Sequence, residues 1–144
     1  PHHLFGTVEI RVCDMPANLE QVLSLTALMQ CMVQALSDEI DRGTYQSEYH
    51  PMMVEQNKWR ATRFGPDAEL VNSEDFQQYS VQQSTDRLIE MLQPTAESLD
   101  CVSELSSATN LPGNTGSRQQ LSIFEETGSR REVVRRMLES NRTQ

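Results

Sequence analysis

Glu9 and Arg11 stand two residues apart in the run Thr7-Val8-Glu9-Ile10-Arg11-Val12, which alternates polar and apolar residues without a break. Residues two apart on an extended chain point to the same side. A carboxylate and a guanidinium therefore share one face, and Val8, Ile10 and Val12 share the other. Held on a rigid strand, such a pair can bind a divalent metal through the carboxylate and face nucleotide phosphates with the guanidinium. That is the charge arrangement phosphoryl transfer needs. The same spacing is commoner on the merely solvated face of an antiparallel strand, so spacing alone leaves both readings open.

Other candidates are weaker. Trp59 and Arg63 are four residues apart, so on a helix they share a face and can form a cation–π pair of about 1 kcal/mol that needs no function. Arg63 is equally placed to touch a substrate. Gly113 to Arg118 forms a glycine-rich turn ahead of a helix, which could offer backbone amides to an anion. It lacks the Gly-Lys-Ser/Thr of a phosphate loop, and such turns are ordinary connectors. His2 and His3 are adjacent, hence on opposite faces of an extended chain, with no cysteine or acid spaced to complete a metal site. Met29, Met32, Met52 and Met53 fit a role as core gap-fillers. No Ser-His-Asp, Cys-His or paired-carboxylate arrangement has convincing spacing.

The elements that must position these residues are mostly helices. Pro16 breaks the strand, and Asn18 with Gln21 has the spacing of a capping box. The apolar residues Val22, Leu23, Met29, Val33, Leu36 and Ile40 then recur at three- and four-residue steps, which predicts a central, buried helix ending near Gly43. Pro51 suits a first turn, with a short helix running toward Ala61 before Gly65-Pro66. Asp67 to Tyr79 reads as a loop. Ser84 or Thr85 caps a helix carrying Leu88, Ile89 and Leu92, with Pro94 expected to kink or interrupt it. Leu99 to Ala108 reads as another short helix and Leu111-Pro112-Gly113-Asn114 as loop. Leu121, Ile123 and Phe124 mark a helix stopping at Gly128, and Ser129 with Glu132 opens a last one bearing Val133, Val134, Met137 and Leu138.

The 144 residues fit one domain, large enough to bury roughly two-thirds of its unfolded surface. With 21 acids against 12 bases and a net charge of -9, the chain lacks the basic surface of a general nucleic-acid binder. The apolar run Val22 to Leu36 is interrupted by Ser24, Thr26, Gln30 and Gln34, which falls short of a membrane span, and no targeting segment is visible. Cys13, Cys31 and Cys101 lie far apart with no C-x-x-C spacing, which suggests reduced thiols and a cytoplasmic location. One strand cannot satisfy its own backbone, so a chain opening on Pro1 and entering that strand at once is expected to be part of something longer.

Glu9-x-Arg11-x-x-Asp14-x-x-x-Asn18 followed by an apolar helix resembles the strand-to-helix segment of the glutamine synthetase superfamily. Thr7-Val8-Glu9-Ile10-Arg11-Val12-x-Asp14 more closely resembles the bacterial type 2 glutamate–cysteine ligases, or carboxylate–amine ligases. The likeness continues through Asn57-x-Trp59-x-Ala61-x-Arg63-Phe64-Gly65, Gly113-x-x-Gly116-Ser117-Arg118-Gln119 and Glu126-Thr127-Gly128 with Val133-Val134. It spans almost the whole chain in the family's order. One departure from the superfamily is Thr7, where glutamine synthetases carry arginine.

The resemblance implies a mainly α fragment of five to six helices and one active-site strand, residues 1–144 being the carboxy-terminal part of an α+β glutamine-synthetase-like catalytic domain. It implies an ATP-dependent ligase that joins a carboxylate, usually the glutamate side chain, to an amine such as cysteine through an acyl phosphate. Mg2+ or Mn2+ would sit on carboxylates, Glu9 among them. Arg11 would be the catalytic contact to the transferring phosphate, and Arg63 and Arg118 substrate or nucleotide contacts. The expected partners are ATP and amino acids, with no nucleic acid or membrane, and a homo-oligomer. The isolated chain is expected to be inactive. The alternative is a non-catalytic helical module for protein interaction or oligomerisation.

Overall fold

The computed structural model describes residues 4–16, 18–45 and 50–140. Helix α1 spans Leu19–Asp41, and the Asn18 side chain caps it by accepting from the Gln21 amide at 2.9 Å. The Gln21 side chain reaches across the fold to donate to the Asn114 carbonyl at 2.7 Å. The helix ends at Arg42, and Gly43 follows with φ +67, a left-handed conformation that glycine adopts without strain.

Helix α2, Pro51–Phe64, opens on Pro51 with the His50 ring accepting from the Met52 amide at 3.2 Å, and stops at Gly65. It runs three residues past the expected end at Ala61. A 3-10 turn, Gly65–Asp67, leads into a hairpin of β1, Glu69–Val71, and β2, Gln78–Ser80, antiparallel with Leu70 opposite Tyr79. This is a correction to the loop expected over Asp67 to Tyr79. Strands of three residues are too short to show alternation, and much of what fixes this hairpin comes from α2. The Asn57 side chain donates to the Val71 carbonyl at 2.8 Å and accepts from the Val71 amide at 2.9 Å. Arg60 donates to the Glu69 carbonyl and to the Gln78 side chain.

Helix α3, Val81–Ser98, starts at Ser80 and not at Ser84 or Thr85. Ser80 and Gln83 form a reciprocal capping box, with bonds of 3.1 and 3.0 Å. It continues through Pro94. Asp100, at φ +54, then turns the chain, so α4 begins at Val102 and ends at Ser107, followed by a 3-10 turn to Asn110. Helix α5, Gly116–Thr127, is capped by Thr115 and closed by Gly128 at φ +62, whose amide donates to the Phe124 carbonyl at 2.7 Å. Helix α6, Arg130–Ser140, has its Glu132 amide bonded to the Ser129 hydroxyl, as the sequence spacing predicts.

The core is the packing of α1, α3 and α4 around Ala27, Cys31, Leu92, Ala96 and Leu105, with Leu28, Ala35, Leu88 and Leu99 closing it. Three of the five central residues are small, which lets the helices approach closely. The expected burial of α1 holds on one face only: Gln21, Ser24, Ala27 and Cys31 are inside, while Val22, Leu23, Val33, Leu36 and Ile40 are exposed. The small residues mark the packed face, and hydropathy gives them little weight. At 23 residues α1 meets the length and composition of a membrane span, contrary to the sequence reading. In this fold it serves as a core helix, its inner face covered by α3 and α4.

The mainly helical architecture, with six helices among the described residues, is as expected. The sheet is placed differently. Residues 8–16 form no ladder among the described residues, and β1 with β2 make the two-stranded sheet there.

Candidate functional site

The alternation of residues 8 to 12 survives without a sheet. Val8 and Ile10 face Thr26, Met29 and Val33 of α1 across a shallow groove. On the other side the Arg11 guanidinium donates to the Glu9 carboxylate at 2.7 Å, as the shared face requires. The two side chains are 79% and 69% exposed. An ion pair so exposed contributes little to stability, at most about 1 kcal/mol. Both groups are therefore free to serve another partner at small cost.

Further along, the Asp14 carboxylate accepts from the Met15 amide at 2.8 Å, which turns the chain toward α1. Here lies a cleft of about 740 Å³, bounded by this turn, the start of α1, the end of α2 and the approach to α5. Asp14, Gln21, Ala61, Gly65, Gly116 and Ser117 are among its walls. Three of the four sequence motifs, separated by some 40 to 50 residues each, thus meet at one place. The bond from Gln21 to Asn114 ties two of the walls together.

None of the four candidate side chains, Glu9, Arg11, Arg63 and Arg118, lines this cleft. Arg118 pairs with Asp67, which links α5 to the turn after α2. Arg63 lies 5.8 Å over the ring of Phe64, and Phe64 meets Trp59 edge to face at 5.9 Å. Arg63 and Arg118 each adjoin a residue of the cleft wall, Thr62 and Ser117, and Glu9 and Arg11 stand before Asp14 on the extended segment. His2 and His3 lie outside the described residues.

Among the described residues no group of three or more His, Cys, Asp or Glu side chains is placed to hold a metal ion. Glu9 offers one carboxylate, and a divalent cation bound by oxygen needs six or more ligands, some of them water. The described residues therefore do not make a metal site by themselves.

Two of the motif residues have structural duties that spacing did not disclose. Asn57 is the clamp on β1. Glu126 accepts from both terminal nitrogens of Arg136, at 2.8 and 3.0 Å, and so fastens α5 to α6 across Gly128. Arg136 holds the Glu126 carboxyl below its usual value, and Arg135 and then Arg136 pull Glu132 down to about 2.

The Glutamate-cysteine ligase family 2 (GCS2) family model matches residues 1–140. The chain belongs to glutamate–cysteine ligase family 2. Relatives named "putative glutamate–cysteine ligase 2" occur in Mycobacterium ulcerans, 36% identical over 93% of this chain, and in Clavibacter sepedonicus, 37% identical over 99%. A relative of the same name in Corynebacterium glutamicum is 36% identical over 93% of this chain. The matched parts are 34%, 38% and 36% of those proteins, so the chain spans about a third of the length of the curated relatives it matches. Family membership agrees with the resemblance drawn from the motifs, three of which meet at the cleft while the fourth, Glu126-Thr127-Gly128, joins α5 to α6.

Proposed function

We propose that this chain is the carboxy-terminal part of an ATP-dependent carboxylate–amine ligase and supplies one wall of its active site. The observation that carries the proposal is the meeting of three family motifs around one cleft, with the Glu9–Arg11 pair on the segment that leads into it. In this reading a carboxylate, in the first place the glutamate side chain, takes the terminal phosphoryl group of ATP. An amine such as that of cysteine then displaces phosphate from the acyl phosphate.

Arg11 contributes a planar fork of donors for the phosphate oxygens, which carry the developing charge. Glu9 holds that fork in place when the site is empty and is available as one ligand to Mg2+ or Mn2+, the other ligands coming from outside the described residues. Arg63 and Arg118, beside the cleft wall, are assigned to substrate or nucleotide carboxylates and phosphates. Phosphoryl transfer needs several groups around the reacting oxygens, so the chain alone is proposed to be inactive. The free thiols Cys13, Cys31 and Cys101 fit work in the reducing cytoplasm.

The test is a substrate screen on the complete protein, following phosphate release from ATP with glutamate and a panel of amines. Release that requires ATP, a divalent cation, a carboxylate and an amine together is the expected result. A complete protein that forms no amide and releases no phosphate with any pair would refute the proposal in favour of a non-catalytic helical module.

A further inference from the structure

Cys31 sits at the centre of the core on α1 with no exposed surface, and its sulfur lies 3.6 Å from that of Cys101 at the start of α4. The two are 70 residues apart in sequence, and both are free thiols. A buried cysteine is usually a small hydrophobe that needs no particular neighbour. Two sulfurs in contact across a helix interface are a different case, because each is the nearest reactive group to the other.

We propose that Cys31 and Cys101 are a dithiol that closes reversibly into a disulfide, stapling α1 to α4, with a small-molecule disulfide such as oxidised glutathione as the oxidant. Closing the pair requires the sulfurs to approach to about 2.05 Å, a shift of roughly 1.5 Å. The Cys101 backbone is tied on both sides, its amide donating to the Ala96 carbonyl of α3 and its carbonyl accepting from the Leu105 amide of α4, each at 3.0 Å, so the approach comes from rotation of the two cysteine side chains.

Exposure divides the roles. Cys101 is half-buried and can meet the oxidant. Burial, with the Cys101 sulfur beside it, pushes the Cys31 thiol up to about 11, which keeps it protonated while Cys101 reacts first. The Cys101 thiolate attacks one sulfur of the oxidant, whose S–S bond breaks and releases one small thiol, leaving a mixed disulfide on Cys101. Cys31 then loses its proton, its sulfur attacks the Cys101 sulfur, and the second small thiol departs. Two cysteine S–H bonds and one S–S bond of the oxidant are replaced by one protein S–S bond and two small-molecule S–H bonds. Two electrons pass from the protein to the oxidant. Cys13, exposed and in the wall of the cleft, takes no part.

The experiment uses the Cys13→Ser chain, incubated under native conditions with oxidised glutathione and analysed by thiol titration and non-reducing peptide mass spectrometry. The expected result is the loss of both thiols together, a Cys31–Cys101 link within one chain, and recovery of both thiols with reductant. The same incubation in denaturant should form the link about tenfold more slowly or worse, because the pair then closes a 70-residue loop. Cys13→Ser with Cys101→Ser should leave Cys31 unreactive in the native chain. Thiols that stay free, a glutathione adduct on Cys101 that never resolves, a link only between chains, or equal rates in native and unfolded chains would each overturn the proposal.

Discussion

The α1, α3 and α4 core and the two outer arms, residues 4–16 and the α5–α6 hairpin, are held together by different physics. In the core, Cys31, Ala96 and Leu105 have no exposed surface and the helices touch through small residues. In the arms the apolar side chains are largely open, with Val12 at 90% exposure and Leu121, Phe124, Val134 and Leu138 also exposed. Charge pairs stand in the open there: Glu9 with Arg11 on one arm, too exposed to add much stability, and Arg135 and Arg136 laced to Glu126, Glu132 and Glu139 on the other. Stability resides in the centre, and the residues with chemistry to offer stand where burial is least.

The sharpest break of this comparison is a change that abolishes activity without touching stability. In the complete enzyme, Glu9→Gln and Arg11→Lys should each lower turnover by about 100-fold or more, as expected for charged groups acting on a reacting phosphate. The melting temperature should not move, because neither side chain is buried. Near-normal steady-state rates in either variant would remove that residue from the proposed site.

The converse change belongs to the core. Leu105→Ala should destabilise the chain by about 2–5 kcal/mol, while Val12→Ala, at an exposed position, should stay within about 0.5 kcal/mol. Urea titration followed by helical circular dichroism compares them, and equal midpoints would erase the distinction between centre and arm.

Association gives a third test. The open apolar faces of α1 and of the arms exceed what a monomer usually shows to water, so light scattering on the isolated chain should find a dimer or larger species. A strictly monomeric chain at all concentrations would mean that those faces need no cover.

A smaller effect is expected from acid. Glu126 and Glu132 have folded-state pKa values below their unfolded values, so the stability they lend α5–α6 is complete above about pH 4.5. It is lost as the pH falls from there toward 2, the value reached by Glu132. Hydrogen exchange across that range should show α6 amides losing protection before those around Cys31 and Leu105. Simultaneous loss in both regions would show that the arm and the core unfold as one unit.

Much of this was legible in the residues. Asn18, Pro51, Ser129 and the glycines at 43, 65 and 128 punctuate the helices where local chemistry says they should, whereas the cap at Thr115 was not anticipated. The alternation from Thr7 to Val12 correctly put Glu9 and Arg11 on one side and Val8 and Ile10 on the other. What was not legible depends on distant partners. The hairpin β1–β2 rests on Asn57, 14 residues from Val71, and the true inner face of α1 is defined by what α3 and α4 bring to it. The early start of α3 was missed because Ser80 with Gln83 competes with two later caps of similar chemistry. For the cleft, the motifs were visible one by one, but that α1, the end of α2 and the approach to α5 line one cavity is a matter of tertiary structure.

The clamp at Asn57 also ties the hairpin to the chemical age of the chain. A side-chain amide has a donor and an acceptor side by side, and Asn57 uses both on the backbone carbonyl and N–H of Val71. Slow hydrolysis of that amide to a carboxylate would keep the bond it accepts and turn the bond it donates into a repulsion between two oxygens. Spontaneous wear at a single nitrogen would thus loosen β1 from α2, in a chain whose core had not changed by one atom.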